Sequence, residues 1–160
     1  MRAAHDALAA CDLDALTPTE LLAMGDELET LTCQLPTQSH RILARLQAEA
    51  TPKELGAKSW KDVLRIRWRI SSTEAHRRLT EAALLGPRRT LTGQPLQPVL
   101  PATAAAQARG QITAEHVEVI RTSMHKLPGF VDASTRERFE ADLVRAAVGV
   151  GPRKSATSPS

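Results

Sequence analysis

The chain has 160 residues, which is enough for one ordinary domain that buries its own core. Hydrophobic residues make up 42% of the sequence but aromatic residues only 2%, and much of the apolar content is alanine, so we expect helices packed closely around a thin core. The formal net charge of +3 is too small to indicate a nucleic-acid partner by itself.

Cysteine usage and hydropathy exclude several protein classes. Cys11 and Cys33 form no CxxC pair, which argues against a disulfide framework and against a thiolate metal site and favours free thiols in a reducing cytoplasm. The first ten residues lack the apolar run of a secretory signal, and no later run approaches the roughly 18 apolar residues of a membrane span. We therefore predict a cytoplasmic protein with no membrane partner.

A long helix is predicted from Thr17 onward. Thr17-Pro18-Thr19-Glu20 is a capping box with proline at the first helical position. Apolar residues then recur at spacings of three and four, which places them on one helical face: Leu21, Met24, Leu28, Leu31, Leu35, Ile42 and Leu46. Pro36 should kink or split this helix because proline lacks the N–H donor and clashes with the preceding turn, and Thr51-Pro52 should end it.

This apolar stripe has two interpretations. It is either a coiled-coil partner surface or part of the core of its own domain. Since stripes of this kind more often pack on their own domain, the sequence favours the core interpretation.

A basic helix pair is predicted next. The apolar face of its first helix consists of Trp60, Val63, Leu64 and Trp68. Its second helix begins at the capping box Ser71-Ser72-Thr73-Glu74 and ends at Gly86-Pro87. One side of this second helix carries Ala75, Leu79 and Ala82. Two helices joined by a tight turn have the layout of a helix-turn-helix. Arg69 stands near the turn position where such motifs often have glycine.

The remaining elements are also helical. Residues 90–98 read as a loop, followed by an alanine-rich helix that stops at Gly110. Thr113 is expected to cap a helix whose apolar face consists of Val117, Ile120, Met124 and Leu127. The capping box Ser134-Thr135-Arg136-Glu137 is expected to begin a last helix, which carries Phe139, Leu143 and Ala147. Residues 149–160 are predicted to form a disordered tail. With no sustained period-two alternation, the prediction is an all-α, multi-helix domain.

Charge is distributed unevenly along the chain. Residues 1–57 carry a net charge of −5, residues 58–89 of +6 and residues 90–160 of +2. Six side chains of the positive block are the predicted contacts to duplex DNA: Lys61, Arg65 and Arg69 at intervals of four, and His76, Arg77 and Arg78 in the first turns of the next helix. The alternative is that these residues form a solvated face or pair with carboxylates.

Catalytic and metal sites are not expected. His116 and His125 lie nine residues apart and so on opposite faces of one helix, and no glycine-rich phosphate loop occurs. We therefore predict a non-catalytic domain with no cofactor, no metal and no small-molecule substrate.

Four stretches together resemble the actinobacterial 13E12 repeat family. They are Leu13-Asp14-Ala15-Leu16-Thr17, the region around Trp60, Ser71 to Leu85, and the segment from Leu100 to Pro128. The resemblance spans residues 13–148 and implies a helical domain of unknown function that precedes an HNH endonuclease domain. No catalytic residue of that family is carried over, because those residues belong to the nuclease part, and the chain is expected to be shortened before it.

Three functions follow as alternatives. The first is a non-catalytic, DNA-associated domain, the second a protein-interaction or dimerisation module that uses the long N-terminal helix, and the third a remnant without selected function. DNA binding predicts that the basic block lies on one exposed face, whereas an interaction module predicts an exposed leucine stripe.

Overall fold

A computed structural model describes residues 1–151 and confirms the all-α prediction. The described residues form seven α-helices, one short 3-10 helix and a two-stranded hairpin. In chain order these are α1 (Arg2–Ala9), the 3-10 helix (Leu13–Ala15), α2 (Pro18–Glu49), α3 (Trp60–Trp68), α4 (Ser72–Leu85), β1 (Arg88–Arg89), β2 (Pro95–Leu96), α5 (Pro101–Ala108), α6 (Ala114–His125) and α7 (Ala133–Ala147).

The start of α2 is the predicted capping box. The Thr17 hydroxyl accepts a hydrogen bond from the Glu20 N–H at 3.2 Å, and the Glu20 carboxylate accepts one from the Thr17 N–H at 2.8 Å. From this cap α2 runs for 32 residues. At 1.5 Å per residue it is about 48 Å long, longer than any other helix of the described residues.

Pro36 lies inside α2 and does not split it, so of the two predicted effects, a kink or a split, the split was wrong. The helix continues through the proline to Glu49. Both halves are tied to the same domain, since Gln34 Nε2 donates to the Ala108 carbonyl at 3.2 Å before the proline, and His40 and Leu43 are buried after it. Tertiary packing on both sides thus offsets the hydrogen bond that the proline removes.

Two adjoining apolar clusters form the core. One joins the second half of α2 to α3 and α4 through Leu43, Val63, Leu64, Ala75 and Ala82. The other joins the end of α4 to α5, α6 and α7 through Leu85, Leu100, Ala106, Ile112, Val117, Ile120 and Val144. Fully buried alanines such as Ala75 and Ala106 let neighbouring backbones approach closely, as the composition predicted.

Gly110 is required where α5 ends against α2. Its φ of +71° lies in the left-handed region, and a Cβ there would stand 2.7 Å from Thr30 Cγ2 and 2.9 Å from the Thr30 carbonyl oxygen. The backbone turns sharply at this point and reaches Ile112, which is buried in the core. Only glycine meets both requirements without a shift of α2.

The helix caps agree with the sequence at Ser71 and Thr113 but not at the last helix. Thr113 forms a reciprocal cap with His116, and Ser71 accepts a hydrogen bond from the Glu74 N–H at 3.1 Å. Helix α7 instead begins at Ala133, because the Asp132 carboxylate accepts a hydrogen bond from the Thr135 N–H at 2.8 Å. An acidic cap is at least as favourable as serine, so the predicted box at residues 134–137 was wrong.

Two connecting segments are more ordered than predicted. The predicted loop at residues 90–98 contains β2, which forms a small antiparallel hairpin with β1 in which Arg88 pairs with Leu96 and Arg89 with Pro95. The first residues of the predicted tail lie against α6, since the Val150 carbonyl accepts a hydrogen bond from His116 Nε2 at 2.7 Å. The rest of that tail, residues 152–160, lies outside the described residues.

Candidate functional site

Helices α3 and α4 form the predicted helix pair. Ser59 caps α3, Ser71 caps α4, and three residues connect the helices. Arg69 ends α3 with φ 55° and ψ 39°, a left-handed conformation that glycine adopts more readily. The sequence thus located the turn correctly, and arginine occupies its glycine-like position.

Two of the six predicted DNA contacts, Arg77 and Arg78, are partly buried and engaged in ion pairs on α4. Arg77 donates to Glu74 at 2.7 and 2.8 Å and to Glu81 at 2.5 Å, and Arg78 donates to Glu74 at 2.7 Å. The guanidinium of Arg78 also lies 5.8 Å from the ring centroid of Trp68. Both arginines therefore bind carboxylates of their own helix, and Arg78 also contacts α3, which is the ion-pair alternative.

The ion pairs continue into the interior toward α2. The Glu81 side chain is 4% exposed, and its Oε2 lies 3.9 Å from Nε2 of His40, which is equally buried. Hydrogen bonds from Arg77 and Arg78 lower the pKa of Glu74 to about 2, and the same carboxylates raise the pKa of Arg77 above its ordinary value. We call these five residues the α2–α4 ion network: His40, Glu74, Arg77, Arg78 and Glu81.

The other four predicted contacts are exposed. Arg65 pairs with Asp62 at 3.1 Å across one turn of α3, while Lys61, Arg69 and His76 are exposed. Because Arg69 has left the helix, only Lys61 and Arg65 share a face of α3 in the way the spacing predicted. Arg67, which is not among the six predicted contacts, is also exposed in the last turn of α3.

The apolar stripe of α2 faces solvent, so the core interpretation was wrong. Leu28, Leu35 and Ile42 are 47%, 52% and 54% exposed, and Leu21 and Leu31 are exposed as well. Helix α2 packs on α4 and α5 through a different face, which carries Thr30, Gln34, His40 and Leu43. At 100° per residue that face points well away from the stripe.

The exposed stripe has the spacing of a heptad repeat. Leu21, Leu28, Leu35 and Ile42 lie seven residues apart, and Met24, Leu31 and Gln38 occupy the alternate seam position. These are the a and d positions of a coiled coil, in which knobs of one helix enter holes of another. We call this set of seven residues the leucine seam.

A separate groove lies between α4, α6 and α7. Its volume is about 740 Å³, and Leu79, Leu84 and Met124 contribute to its largely apolar lining. Glu140 of α7 also lines it, and its Oε1 accepts hydrogen bonds from Thr103 N–H at 2.8 Å and Thr103 Oγ1 at 2.7 Å. This buried carboxylate caps the N-terminus of α5, where Leu100 supplies no side-chain cap.

Glu140 had no local signal in the sequence. Its partner Thr103 lies 37 residues away, so only the packing of α7 on α5 brings the two together. The role of this carboxylate is structural because it satisfies the first turn of a helix.

The histidine and cysteine side chains of residues 1–151 are engaged in contacts other than metal binding or are isolated from one another. Both ring nitrogens of His116 are engaged, Nδ1 with Thr113 and Nε2 with the Val150 carbonyl. Residues 1–151 contain no group of three or more His, Cys, Asp and Glu side chains placed to hold a metal ion. Cys11 and Cys33 are free thiols, and burial together with the nearby Glu29 raises the pKa of Cys33.

No helix in the described part of the chain is long and apolar enough to cross a bilayer.

Comparisons with known proteins identify relatives of unknown activity. An uncharacterized protein of Mycobacterium tuberculosis is 47% identical over 139 residues, which cover 87% of this chain and 33% of the relative. A second from M. tuberculosis is 49% identical over 130 residues (81% and 28%), and one from Mycobacterium bovis is 40% identical over 139 residues (87% and 30%). The chain thus spans about a third of the length of these relatives.

No solved structure matches the chain. Residues 22–158 match the family described as a domain of unknown function, DUF222. That match includes α3 to α7, all of α2 except its first residues, and both the α2–α4 ion network and most of the leucine seam. The chain belongs to the DUF222 family.

Proposed function

We propose that this domain is a protein-interaction module that associates with a second copy of itself through the leucine seam. The observation that carries the proposal is the heptad run of large apolar side chains on the solvent side of α2. A contiguous apolar surface on a helix whose opposite face already packs on its own domain is typical of a docking site.

The exposed areas set the expected strength of the association. Full burial of a leucine gains about 1.5–3 kcal/mol, so a side chain that is already half-buried gains about 1 kcal/mol. Six such side chains in each of two copies gain on the order of 10 kcal/mol, against an association cost of about 4–15 kcal/mol. With the cost at the low end of that range the net gain is about 6 kcal/mol, which corresponds to a weak dimer with a dissociation constant of roughly tens of micromolar.

Sedimentation equilibrium across protein concentrations tests the proposal. Leu28→Glu should produce a monomer with an unchanged helical circular dichroism spectrum, because the new carboxylate would be buried only in the dimer. Leu22→Glu is the matched control. Leu22 lies on the same helix and is 68% exposed, but it stands outside the seam.

Three outcomes would contradict this function. The parent chain could remain a monomer at high micromolar concentration, Leu28→Glu could leave the dimer intact, or Leu22→Glu could disrupt it equally. Loss of helix in Leu28→Glu would mean that the seam belongs to the core of its own domain after all.

DNA binding is the second candidate, and it is favoured by the exposed basic side chains of α3, of the turn after it and of the first turns of α4. Lys61 at the start of α3, Arg67 and Arg69 at its end and His76 in the first turns of α4 are exposed, whereas Arg77 and Arg78 are committed to carboxylates. Fluorescence anisotropy with a labelled duplex across a salt series is the test. If the surface binds DNA, Lys61→Ala with Arg69→Ala should reduce the slope of log affinity against log salt by about two, and Arg78→Ala should not. The absence of binding at low salt would exclude this function.

The link to HNH endonucleases enters only through the resemblance to the 13E12 repeat family. A docking module suits a domain that adjoins an enzymatic one, and we propose that residues 13–148 act by binding without catalysis, in the cytoplasm. Incubation with plasmid DNA and Mg²⁺ tests this. Nicking that survives repurification would refute a purely binding role.

A further inference from the structure

We infer that the two copies of α2 pair antiparallel, with the first half of one helix against the second half of the other. This inference rests on the proposed function, because it names the geometry of the same association. The observations that carry it are the charges along α2 and the order of residues in the leucine seam.

The two halves of α2 carry opposite charge. Four carboxylates lie in the first half, at Glu20, Asp26, Glu27 and Glu29. The second half carries Arg41 and Arg45 with a single carboxylate, Glu49, which pairs with Arg45 at 2.9 Å. Parallel pairing would bring the acidic halves of both copies together, whereas antiparallel pairing places each acidic half beside a basic one.

One antiparallel register uses every layer of the seam. It places Leu31 against the partner's Leu35 and Met24 against the partner's Ile42. Leu28 then lies against the partner's Gln38, and Leu21 meets the aliphatic stem of the partner's Arg45. A shift of one heptad sets either Ile42 against the partner's Thr17 or Leu21 against the partner's Pro52, and both of these residues lie outside α2.

The flanking residues agree with this register. Glu27 and Arg41 both precede a seam residue by one position, and such positions from opposite chains face each other in an antiparallel pair. The register therefore places Glu27 of each copy beside the partner's Arg41. The opposite face of each α2 carries its own domain, so the two domains lie on the outer sides of the helix pair.

Cross-linking of the full chain distinguishes the two directions. Leu21→Cys and Arg45→Cys are introduced separately into a background with Cys11→Ser and Cys33→Ser, on differently tagged copies. After mixing and mild oxidation, the antiparallel dimer should yield a disulfide only between the two different variants. A parallel dimer separates these positions by about 36 Å along the axis and should instead join Leu21→Cys to itself.

A charge exchange provides a second readout that needs no cysteine. Arg41→Glu should weaken the dimer about fivefold at low salt, and Glu27→Arg in the same chain should restore it. The inference is overturned if Leu21→Cys joins only itself, or if Arg41→Glu leaves the dissociation constant unchanged while the parent chain dimerises. A parent chain that never dimerises would instead refute the proposed function.

Discussion

Replacing Arg77 by methionine tests whether the α2–α4 ion network has a structural role or a role in DNA contact. The substitution keeps an unbranched, largely apolar stem but removes the guanidinium and its charge. It leaves Glu81, which is 3% exposed, with only His40 nearby at 3.9 Å, and it removes two hydrogen bonds from Glu74. The variant therefore leaves a carboxylate in the interior with little compensation.

The structure sets the size of this effect. Breaking a fully buried ion pair costs about 3–5 kcal/mol. The Arg77 side chain is 35% exposed, so water screens part of the interaction, and we expect a loss of about 2–3 kcal/mol in the free energy of unfolding. That loss is a large fraction of the roughly 5–15 kcal/mol typical of a domain.

Urea unfolding followed by circular dichroism measures this loss as a lower midpoint with an unchanged slope. Arg67→Met is the matched control: Arg67 is an exposed arginine without a carboxylate partner among residues 1–151, and its replacement should cost less than about 0.5 kcal/mol.

A double variant completes the test. Arg77→Met with Glu81→Gln should be more stable than Arg77→Met alone, because the stranded charge is then gone, with a coupling of about 1–2 kcal/mol. If Arg77→Met matches the Arg67→Met control in stability, the assignment of Arg77 to the ion network is wrong.

Two further outcomes follow from single positions. Gly110→Ala should lower the free energy of unfolding by more than about 2 kcal/mol, because the new Cβ would stand 2.7 Å from Thr30 Cγ2. Gly93→Ala is the control. Gly93 also has a positive φ but no neighbour within 4 Å, so this substitution should cost only about 1 kcal/mol. Lowering the pH from about 4.5 to about 2 should destabilise the parent chain progressively. The reason is that Arg77 and Arg78 hold the pKa of Glu74 at about 2, below the ordinary value of a glutamate. The ionised Glu74 therefore stabilises the fold fully above that ordinary pKa, and this contribution is lost as Glu74 becomes protonated. In Glu74→Gln this acid dependence should be smaller, and identical urea midpoints for parent and variant across that range would contradict the assignment.

The helical elements of this protein follow largely from local sequence. The capping box at Thr17, the glycine stop at Gly110 and the cap at Thr113 act through atoms only a few residues apart, so their residue types are sufficient to predict them. The turn between α3 and α4 was located for the same reason.

The faces of those helices required the tertiary structure. The heptad spacing of Leu21 to Ile42 shows that these residues share a face but not whether that face is covered, and the domain packs on the opposite side of α2. The continuity of α2 through Pro36 likewise depends on contacts of both its halves with α4 and α5.

The fate of the charges also depended on packing. A count of residues 58–89 gives +6, but the three carboxylates of that block each bind arginines, and Glu81 does so in the interior beside His40 of another helix. The Glu140 cap on α5 joins residues 37 positions apart. Sequence therefore determined where most of the helices begin and end, because capping is local, whereas the fold alone decided which leucines remain exposed and which charged side chains are buried, because both depend on helices distant in the chain.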